Sequence, residues 1–257
     1  MRINLPRLTL LRMRRPVFLL IAAVAAAPCA AEDMARGFVY LRDVDPTILQ
    51  DMRYAGPDNF TGHAVPGYDA PECVLTRRPA EALKAVQADL KAKGLGLKVY
   101  DCYRPVQAVA GFVAWTKEPD DPKAKAVYYP NVPKSALIPD YIAPRSGHSR
   151  GAAVDLTLVP LGSDAKDSPE SGPCNAPQGS EADDGSLAMG TTFDCFDVKS
   201  SKLASNYTKE QHGNRIALGD AMEAHGFKDY MFEWWHFVLA KEPYPDTYFD
   251  FPIPPRN

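Results

Sequence analysis

The chain has 257 residues, of which 46% are hydrophobic and 24% charged, and its formal net charge is −3. This composition is typical of a globular protein with one sizeable core, and it excludes a disordered, collagen-like or coiled-coil chain. Without residues 1–31, which carry five arginines and no acid, 24 Lys and Arg face 32 Asp and Glu. The resulting net charge of about −8 argues against nucleic acid or an anionic membrane surface as a partner.

Residues 1–31 have the pattern of a secretory signal peptide. The five arginines precede an apolar run at 17–27, and small residues follow. The apolar run is too short to span a bilayer comfortably. We therefore predict a signal peptide over 1–31, a mature domain over 32–257, a secreted, periplasmic location and no stable membrane insertion after cleavage. The alternatives left open are a lipoprotein cysteine at Cys29, a twin-arginine signal at Arg14 and Arg15, and a true start at Met13.

The remaining elements are predicted from apolar spacing and from turn residues. The clearest helix has apolar residues at Ala82, Leu83, Val86 and Leu90 and ends before Gly94. Helices and strands alternate without a regular rhythm, so we expect an α+β single domain with a central, mainly antiparallel sheet flanked by helices. The predicted elements are a strand or helical turn at 46–53, a loop at 54–68, a helix at 79–93, a strand at 97–100, a helix at about 106–117, a strand at 152–159, a loop at 160–186, a helix at 209–225, a strand at 233–239 and an extended tail at 243–255.

Four cysteines remain in the predicted mature domain: Cys73, Cys102, Cys174 and Cys195. An even number in an exported chain indicates two disulfides. Three pairings are possible, and we favour Cys73–Cys102 with Cys174–Cys195 because each closes a local loop. None of the four has zinc-ribbon spacing, so we do not expect them to bind metal.

The first cluster with chemical potential lies at 146–155 and contains His148 and Asp155. A histidine and an aspartate can supply a nitrogen and an oxygen to zinc. Seven residues separate them, and strand alternation alone would place the two side chains on opposite faces. We therefore expect His148 on the loop before the strand, with Gly151 allowing the bend. Taken alone, such a pair is more often a surface hydrogen bond.

The second cluster is Glu233-Trp-Trp-His236, which taken alone is more often a half-buried aromatic strand with a core histidine. Joined to the first cluster, it completes a set of two imidazoles and one carboxylate. Three protein ligands with an open fourth position are typical of a catalytic zinc site. The spare carboxylate of Glu233 would then serve as the base that a hydrolytic zinc site needs. We predict one zinc ion per chain, bound by His148, Asp155 and His236.

A third element, Arg104, lies in the segment Asp-Cys-Tyr-Arg-Pro at 101–105. A fixed guanidinium in a dry cleft can stabilise a developing oxyanion. Without the other clusters, an ordinary surface arginine would explain it equally well.

The pattern Ser-x-His-x-x-Gly-x-Ala-x-Asp at 146–155, together with Glu-Trp-Trp-His at 233–236, resembles the D-alanyl-D-alanine dipeptidase family of zinc peptidases. This family is related to the DD-carboxypeptidases and shares the hedgehog-type, DD-peptidase-like fold. The resemblance runs from about Tyr54 to Pro252. Its other matching segments are RYAGPDNFTG at 53–62, DCYRP at 101–105, GTTFD at 190–194 and EPYPDTYFDFP at 242–252.

The resemblance implies hydrolysis of the dipeptide D-Ala-D-Ala to two D-alanines, in cell-wall peptide turnover. It also implies zinc ligands, a general base, a residue that steadies the transition state and two residues that bind the free amino group of the dipeptide. By this resemblance, the zinc ligands would be His148, Asp155 and His236, and the general base would be Glu233. Arg104 would steady the transition state, and Tyr54 and Asp194 would bind the amino group.

Two alternatives stay open: a zinc DD-carboxypeptidase that trims peptidoglycan stem peptides, and a non-catalytic zinc or peptidoglycan-binding module. The first is disfavoured because an amino-end clamp at Tyr54 and Asp194 would block long substrates. The second is disfavoured because Glu233 and Arg104 are both present.

Two departures from the family bear on substrate choice. Gly147 stands where related dipeptidases can carry serine, so one contact near the substrate is expected to be missing. The loop at 160–186 also looks longer than in the resistance enzymes, and we expect it to reshape the substrate entrance.

Overall fold

A computed structural model describes residues 1, 34–164, 172–176 and 184–256. The predicted signal peptide, with the alternatives at Cys29 and Met13, lies outside the described residues except for residue 1. All the elements below belong to one compact unit, Glu32–Asn257.

The described chain contains seven strands and five α-helices. The strands are β1 (Phe38–Tyr40), β2 (Leu49–Gln50), β3 (Val74–Thr76), β4 (Leu95–Asp101), β5 (Ala153–Pro160), β6 (Phe227–Tyr230) and β7 (Glu233–Leu239). The helices are α1 (Leu41–Val44), α2 (Arg77–Lys91), α3 (Val106–Trp115), α4 (Pro122–Tyr128) and α5 (Lys209–Ala224). Short 3₁₀ turns lie at Arg53–Ala55, Lys134–Ala136, Gly147–Arg150 and Val198–Ser200.

The central sheet has the strand order β2-β4-β5-β7-β6. Its pairs are antiparallel except for β2 with β4, which are parallel. Strands β1 and β3 form a separate antiparallel pair. The prediction of an α+β domain around a mainly antiparallel sheet is confirmed.

Helices α2 and α5 contact each other and cover one side of the sheet, α2 against β4 and α5 against β5 and β6. The buried face of α2 is the apolar stripe that its spacing predicts, including Leu83, Val86 and Leu90. A capping box between Thr208 and Gln211 begins α5 by satisfying backbone groups that the helix leaves open. Within the described residues, no helix combines the length and hydrophobicity needed to cross a membrane.

The predicted helices and strands after residue 76 are present, with ends shifted by a few residues. The helix expected at 79–93 begins at Arg77 and ends at Lys91, and the strand expected at 97–100 extends over Leu95–Asp101. The region 46–53 supplies β2 and the start of a 3₁₀ turn. The sequence interpretation missed β1, β3, α1, α4 and β6, which are three to seven residues long. Elements of this length show little periodicity.

Both favoured disulfides are present, Cys73–Cys102 and Cys174–Cys195, with Cα atoms 5.3 and 5.4 Å apart. All four cysteines are fully buried. Loops of this length correspond to roughly 3 kcal/mol of stabilisation each in the chain-entropy model. One disulfide joins the segment before β3 to the end of β4, and the other ties the predicted loop at 160–186 to the residue after Asp194.

Candidate metal centre and active site

The three side chains predicted as metal ligands lie close together. His148 Nε2 lies 3.1 Å from His236 Nδ1 and 3.3 Å from Asp155 Oδ1, and the latter two atoms are 3.0 Å apart. Within the described chain, this is the one group of three or more His, Cys, Asp or Glu side chains whose geometry could hold a metal ion.

The local structure explains how residues seven positions apart meet. His148 lies in the 3₁₀ turn Gly147–Arg150, and Gly151 follows with a left-handed φ of 71°. Strand β5 then brings Asp155 opposite His236 of β7 in the antiparallel register. The expectation that His148 precedes the strand is therefore confirmed. A Cβ atom at Gly151 would lie 2.3 Å from Phe38 Cε1, so this bend needs glycine for its space as well as its φ angle.

Hydrogen bonding selects the tautomer of His148. Its Nδ1 donates to the carbonyl oxygen of Cys102 at 2.7 Å, so Nε2 presents a lone pair towards His236 and Asp155. Burial would raise the pKa of Asp155, but where the two histidines carry a proton on the facing nitrogen, the charge of His148 and the hydrogen bonds from both rings outweigh burial and hold that pKa well below its usual range. Two imidazoles and an ionised carboxylate facing one point form an electron-rich centre suited to a cation.

Glu233 lies beside this centre, at the start of β7. Its Oε2 is 4.0 Å from His236 Nδ1. Burial raises the pKa of Glu233 well above its usual range, and repulsion from Asp155 and Asp194 adds to this, while Arg104 acts in the opposite direction. A carboxyl group with a raised pKa can both take up and release a proton near neutral pH.

Arg104 is fixed by a buried acid that the sequence interpretation did not single out. Asp101 Oδ2 accepts from Nε and Nη2 of Arg104 at 2.9 and 2.8 Å, and Oδ1 accepts from the hydroxyl of Tyr68 at 2.7 Å. Arg104 Nη2 also approaches Asp155 Oδ2 at 3.5 Å. The guanidinium is thereby held towards the metal-binding group in one orientation.

Tyr54 and Asp194 meet, as the resemblance implies. The hydroxyl of Tyr54 donates to the carboxylate of Asp194, at 3.0 and 2.9 Å from its two oxygens. Burial raises the pKa of Asp194 well above its usual range, and repulsion from Asp155 adds to the effect. Among the described residues other than glycine, Asp194 alone has a positive φ, at 57°. A backbone in this region is strained, and such strain is often found at functional sites.

All seven predicted site residues line one cavity of about 210 Å³: Tyr54, Arg104, His148, Asp155, Asp194, Glu233 and His236. Phe60, Phe112 and Phe196 add aromatic walls, and Asp140 to Ala143 and Tyr230 complete the lining with Ser146, Gly147 and Trp235. Of the loop expected to reshape the entrance, the described part does not line this cavity. Gly147 does line it, and a Cβ there would lie 3.2 Å from Arg150 Nη2.

The sequence interpretation missed Asp101, Tyr68 and Tyr230. Asp101 lay in a matching segment, and its position three residues before Arg104 was a usable signal. Tyr68 lay in a loop-like stretch, and Tyr230 preceded the Glu-Trp-Trp-His motif without a recognisable pattern of its own.

The family model described as D-ala-D-ala dipeptidase matches residues 34–165 and 180–254. Similar proteins named D-alanyl-D-alanine dipeptidase come from Enterococcus faecalis, at 39% identity, Enterococcus faecium, at 38%, and Streptomyces coelicolor, at 39%. Each alignment covers 86% of this chain and 100% of the relative. The solved vancomycin-resistance D,D-dipeptidase VanXYg, in complex with a D-Ala-D-Ala phosphinate analogue, aligns over 80% of this chain and 67% of its own at a TM-score of 0.32 and 14% identity, values too low to support an inference. The match to the family model and the identity to full-length relatives place this chain in the D-Ala-D-Ala dipeptidase family of metallopeptidases.

Proposed function

We propose that this protein is a zinc-dependent dipeptidase that hydrolyses D-Ala-D-Ala to two D-alanines. The observation that carries the proposal is that three side chains able to hold a metal ion line the same small cavity as a buried glutamate, Glu233, and a buried aspartate, Asp194. The names of the three relatives, each aligned over its full length, support the same substrate.

The proposed zinc ligands are His148, Asp155 and His236. Tetrahedral bonds of about 2.0–2.1 Å place ligand atoms about 3.3–3.4 Å apart, close to the 3.0–3.3 Å separations here. The hydrogen bond from His148 Nδ1 to Cys102 fits the supporting contacts expected around such a site. Bound zinc would supply Lewis acidity and lower the pKa of a coordinated water towards about 7.

Glu233 is the proposed general base and acid. It would take a proton from the attacking water and pass it to the nitrogen of the leaving D-alanine, so the amide bond breaks with release of a neutral amine. Its raised pKa favours both transfers. Arg104 would face the carbonyl oxygen, where negative charge grows in the transition state, and its pairing with Asp101 fixes it there before substrate binds.

The amino end of the substrate is assigned to Asp194 and Tyr54. Arg104 offsets the raised pKa of this buried carboxyl only in part, and a substrate ammonium would add further compensating charge. A longer stem peptide has a neutral amide at this position and cannot form that ion pair. This difference favours a dipeptidase over a DD-carboxypeptidase.

We further propose that the protein is exported to the periplasm and takes part in cell-wall peptide turnover. Two buried disulfides support an oxidising compartment, and the pattern of residues 1–31 supports export.

The decisive test is Glu233→Gln, with Glu81→Gln on the exposed surface of α2 as the matched control. We expect Glu233→Gln to retain one zinc per chain and to lose D-Ala-D-Ala hydrolysis by about 10²–10⁴-fold, the usual contribution of a general base. Glu81→Gln should behave like the unmodified protein, and a chelator should abolish activity until zinc is restored. Hydrolysis by Glu233→Gln at the native rate, or faster cleavage of a stem pentapeptide than of D-Ala-D-Ala, would contradict the proposal.

A further inference from the structure

Two cavities meet at Tyr230. The first is the catalytic cavity already described, of about 210 Å³. The second, of about 440 Å³, lies between α5 and the β6–β7 hairpin, and we call it the hairpin groove. Tyr230 and Glu233 line both spaces. Tyr230 and Glu233 are therefore the two residues that the catalytic cavity shares with a groove about twice as large.

Several contacts hold Tyr230 in this position. Its hydroxyl donates to the carbonyl oxygen of Asp140 at 2.8 Å, across the rim of the catalytic cavity. Its ring meets those of His236 and Phe232 edge-on, with centroids 5.6 and 5.5 Å away. The residue also lies at an irregularity in the hairpin, where the register shifts and Tyr230 pairs with Glu233. The hydrogen bond at the hydroxyl and the contacts of the ring together orient the side chain of Tyr230.

Tyr230 and the amino-end clamp, formed by Tyr54 and Asp194, lie near different ligands of the metal-binding group. Arg104 lies over the ring of Tyr54, at 5.3 Å, and contacts Asp155. Tyr230 instead touches His236. A dipeptide with its amino group at the clamp and its scissile carbonyl at the ligands would direct its leaving residue towards His236 and Tyr230.

The hairpin groove is lined by both polar and apolar side chains. Its lining includes the rings of Trp234 and Phe237 together with charges of both signs, such as Lys228 and Asp220. A groove of this size and mixed lining has room for a peptide chain that continues beyond the catalytic cavity.

We propose that Tyr230 sets the carboxyl-terminal limit of the substrate. Its ring closes the passage to the hairpin groove and stops a chain from continuing beyond the leaving residue. This inference rests on the proposed dipeptidase function. Specificity of this kind arises from a steric block against the longer competitor rather than from added contacts to the dipeptide.

The test compares Tyr230→Ala, which removes the ring, with Tyr230→Phe, which removes only the hydrogen bond to Asp140. The substrates are D-Ala-D-Ala and the tripeptide D-Ala-D-Ala-D-Ala, whose first peptide bond is followed. We expect Tyr230→Ala to raise the tripeptide-to-dipeptide ratio of kcat/KM by about 10–200-fold, the range for relieving a clash of modest size in a pocket. Tyr230→Phe should leave the ratio within about threefold of native, because the ring still closes the passage.

Zinc content checks that His236 is undisturbed, and Tyr230→Leu replaces Tyr230→Ala if the smaller side chain prevents folding. An unchanged ratio in the folded ring-deleted variant would overturn the inference, as would an equal rise in Tyr230→Phe. If the native protein cleaves D-Ala-D-Ala while the ratio does not change, this inference alone fails. If the native protein does not cleave D-Ala-D-Ala, the proposed function fails.

Discussion

Asp194→Asn removes the negative charge at the amino end of the catalytic cavity and keeps the size of the side chain. Asparagine tolerates the left-handed φ of 57° found here, so the backbone should be retained. The amide can still accept a hydrogen bond from Tyr54. The substitution therefore isolates the charge from shape and folding.

The expected loss follows from the burial of Asp194, which is 4% exposed. Removing one partner of a buried, hydrogen-bonded charge pair costs about 2–5 kcal/mol, and solvent screening reduces this little at such a site. At about 1.4 kcal/mol per factor of ten, kcat/KM for D-Ala-D-Ala should fall by roughly 30- to 4,000-fold.

The assay compares D-Ala-D-Ala with propionyl-D-Ala, which lacks the amino group and adds no bulk. The native protein should strongly prefer the substrate with the amine, and the preference should nearly vanish in Asp194→Asn, since the two changes remove the same interaction. Asp140→Asn is the matched control because it removes a charge at the exposed rim of the same cavity. Should Asp194→Asn retain the native preference, the assignment of the amino end would be refuted.

Two further predictions concern stability. Lys98→Met should lower the free energy of unfolding by about 3–5 kcal/mol, because Asp184 would lose the buried ammonium now 2.7 Å from its carboxylate. Adding Asp184→Asn should recover part of that loss, as measured by denaturant unfolding. Full stability of the Lys98→Met variant would contradict the argument. Gly151→Ala should cost more than about 2 kcal/mol and weaken zinc binding, since the left-handed φ and the approach to Phe38 both oppose a Cβ. Gly56→Ala, where the φ is not left-handed and the space is open, is the control expected to behave like the native protein.

The candidate metal ligands stand out in the sequence because each lies in a short motif with a chemical signature. His148, Gly151 and Asp155 form one such motif, and Glu233 with His236 forms the other. The local bend and the strand that follows are encoded within ten residues. The pairing of β5 with β7, which brings the two motifs together, follows only from the tertiary structure.

Asp101 shows why the supporting contacts could be predicted only in part. Its partners are Arg104, three residues away, and Tyr68 and His148, which lie 33 and 47 positions along the chain. The spacing of Asp101 from Arg104 is visible in the sequence, but nothing there marks the aspartate as buried or points to Tyr68 and His148. The same holds for Lys98, whose complete burial depends on Asp184 in a distant loop.

Some short elements did carry a signal. Helix α4 begins with Asp121 as its N-cap, accepting from two backbone amides, and with Pro122 in its first turn. This pair of residues is a known helix start. Strands β1 and β3 offer no comparable signal, because three residues cannot show alternation and their pairing with each other is non-local.

The described residues of the long loop expected at 160–186 include one that supports the segment around Asp194. This residue, Asp184, accepts from Lys98 at 2.7 Å and from the hydroxyl of Tyr100 at 2.6 Å. Tyr100 in turn stacks on Phe193, with ring centroids 4.5 Å apart and planes within 12°. The end of the loop is thereby anchored to β4, directly under the residue that precedes Asp194.

The residues on both sides of Asp194 in the chain are anchored. Phe193 is fixed by stacking on β4, and Cys195 is fixed by its disulfide to Cys174 in the same loop. These two attachments can hold the left-handed backbone and the carboxylate of Asp194 in place before any ammonium binds. A clamp that is already ordered lowers the entropic cost of binding, so a molecule as small as a dipeptide can be positioned by few contacts. Under the proposed function, the described residues of the loop would therefore affect substrate affinity through the rigidity of the clamp, and the side chains that line the cavity would determine which substrate fits.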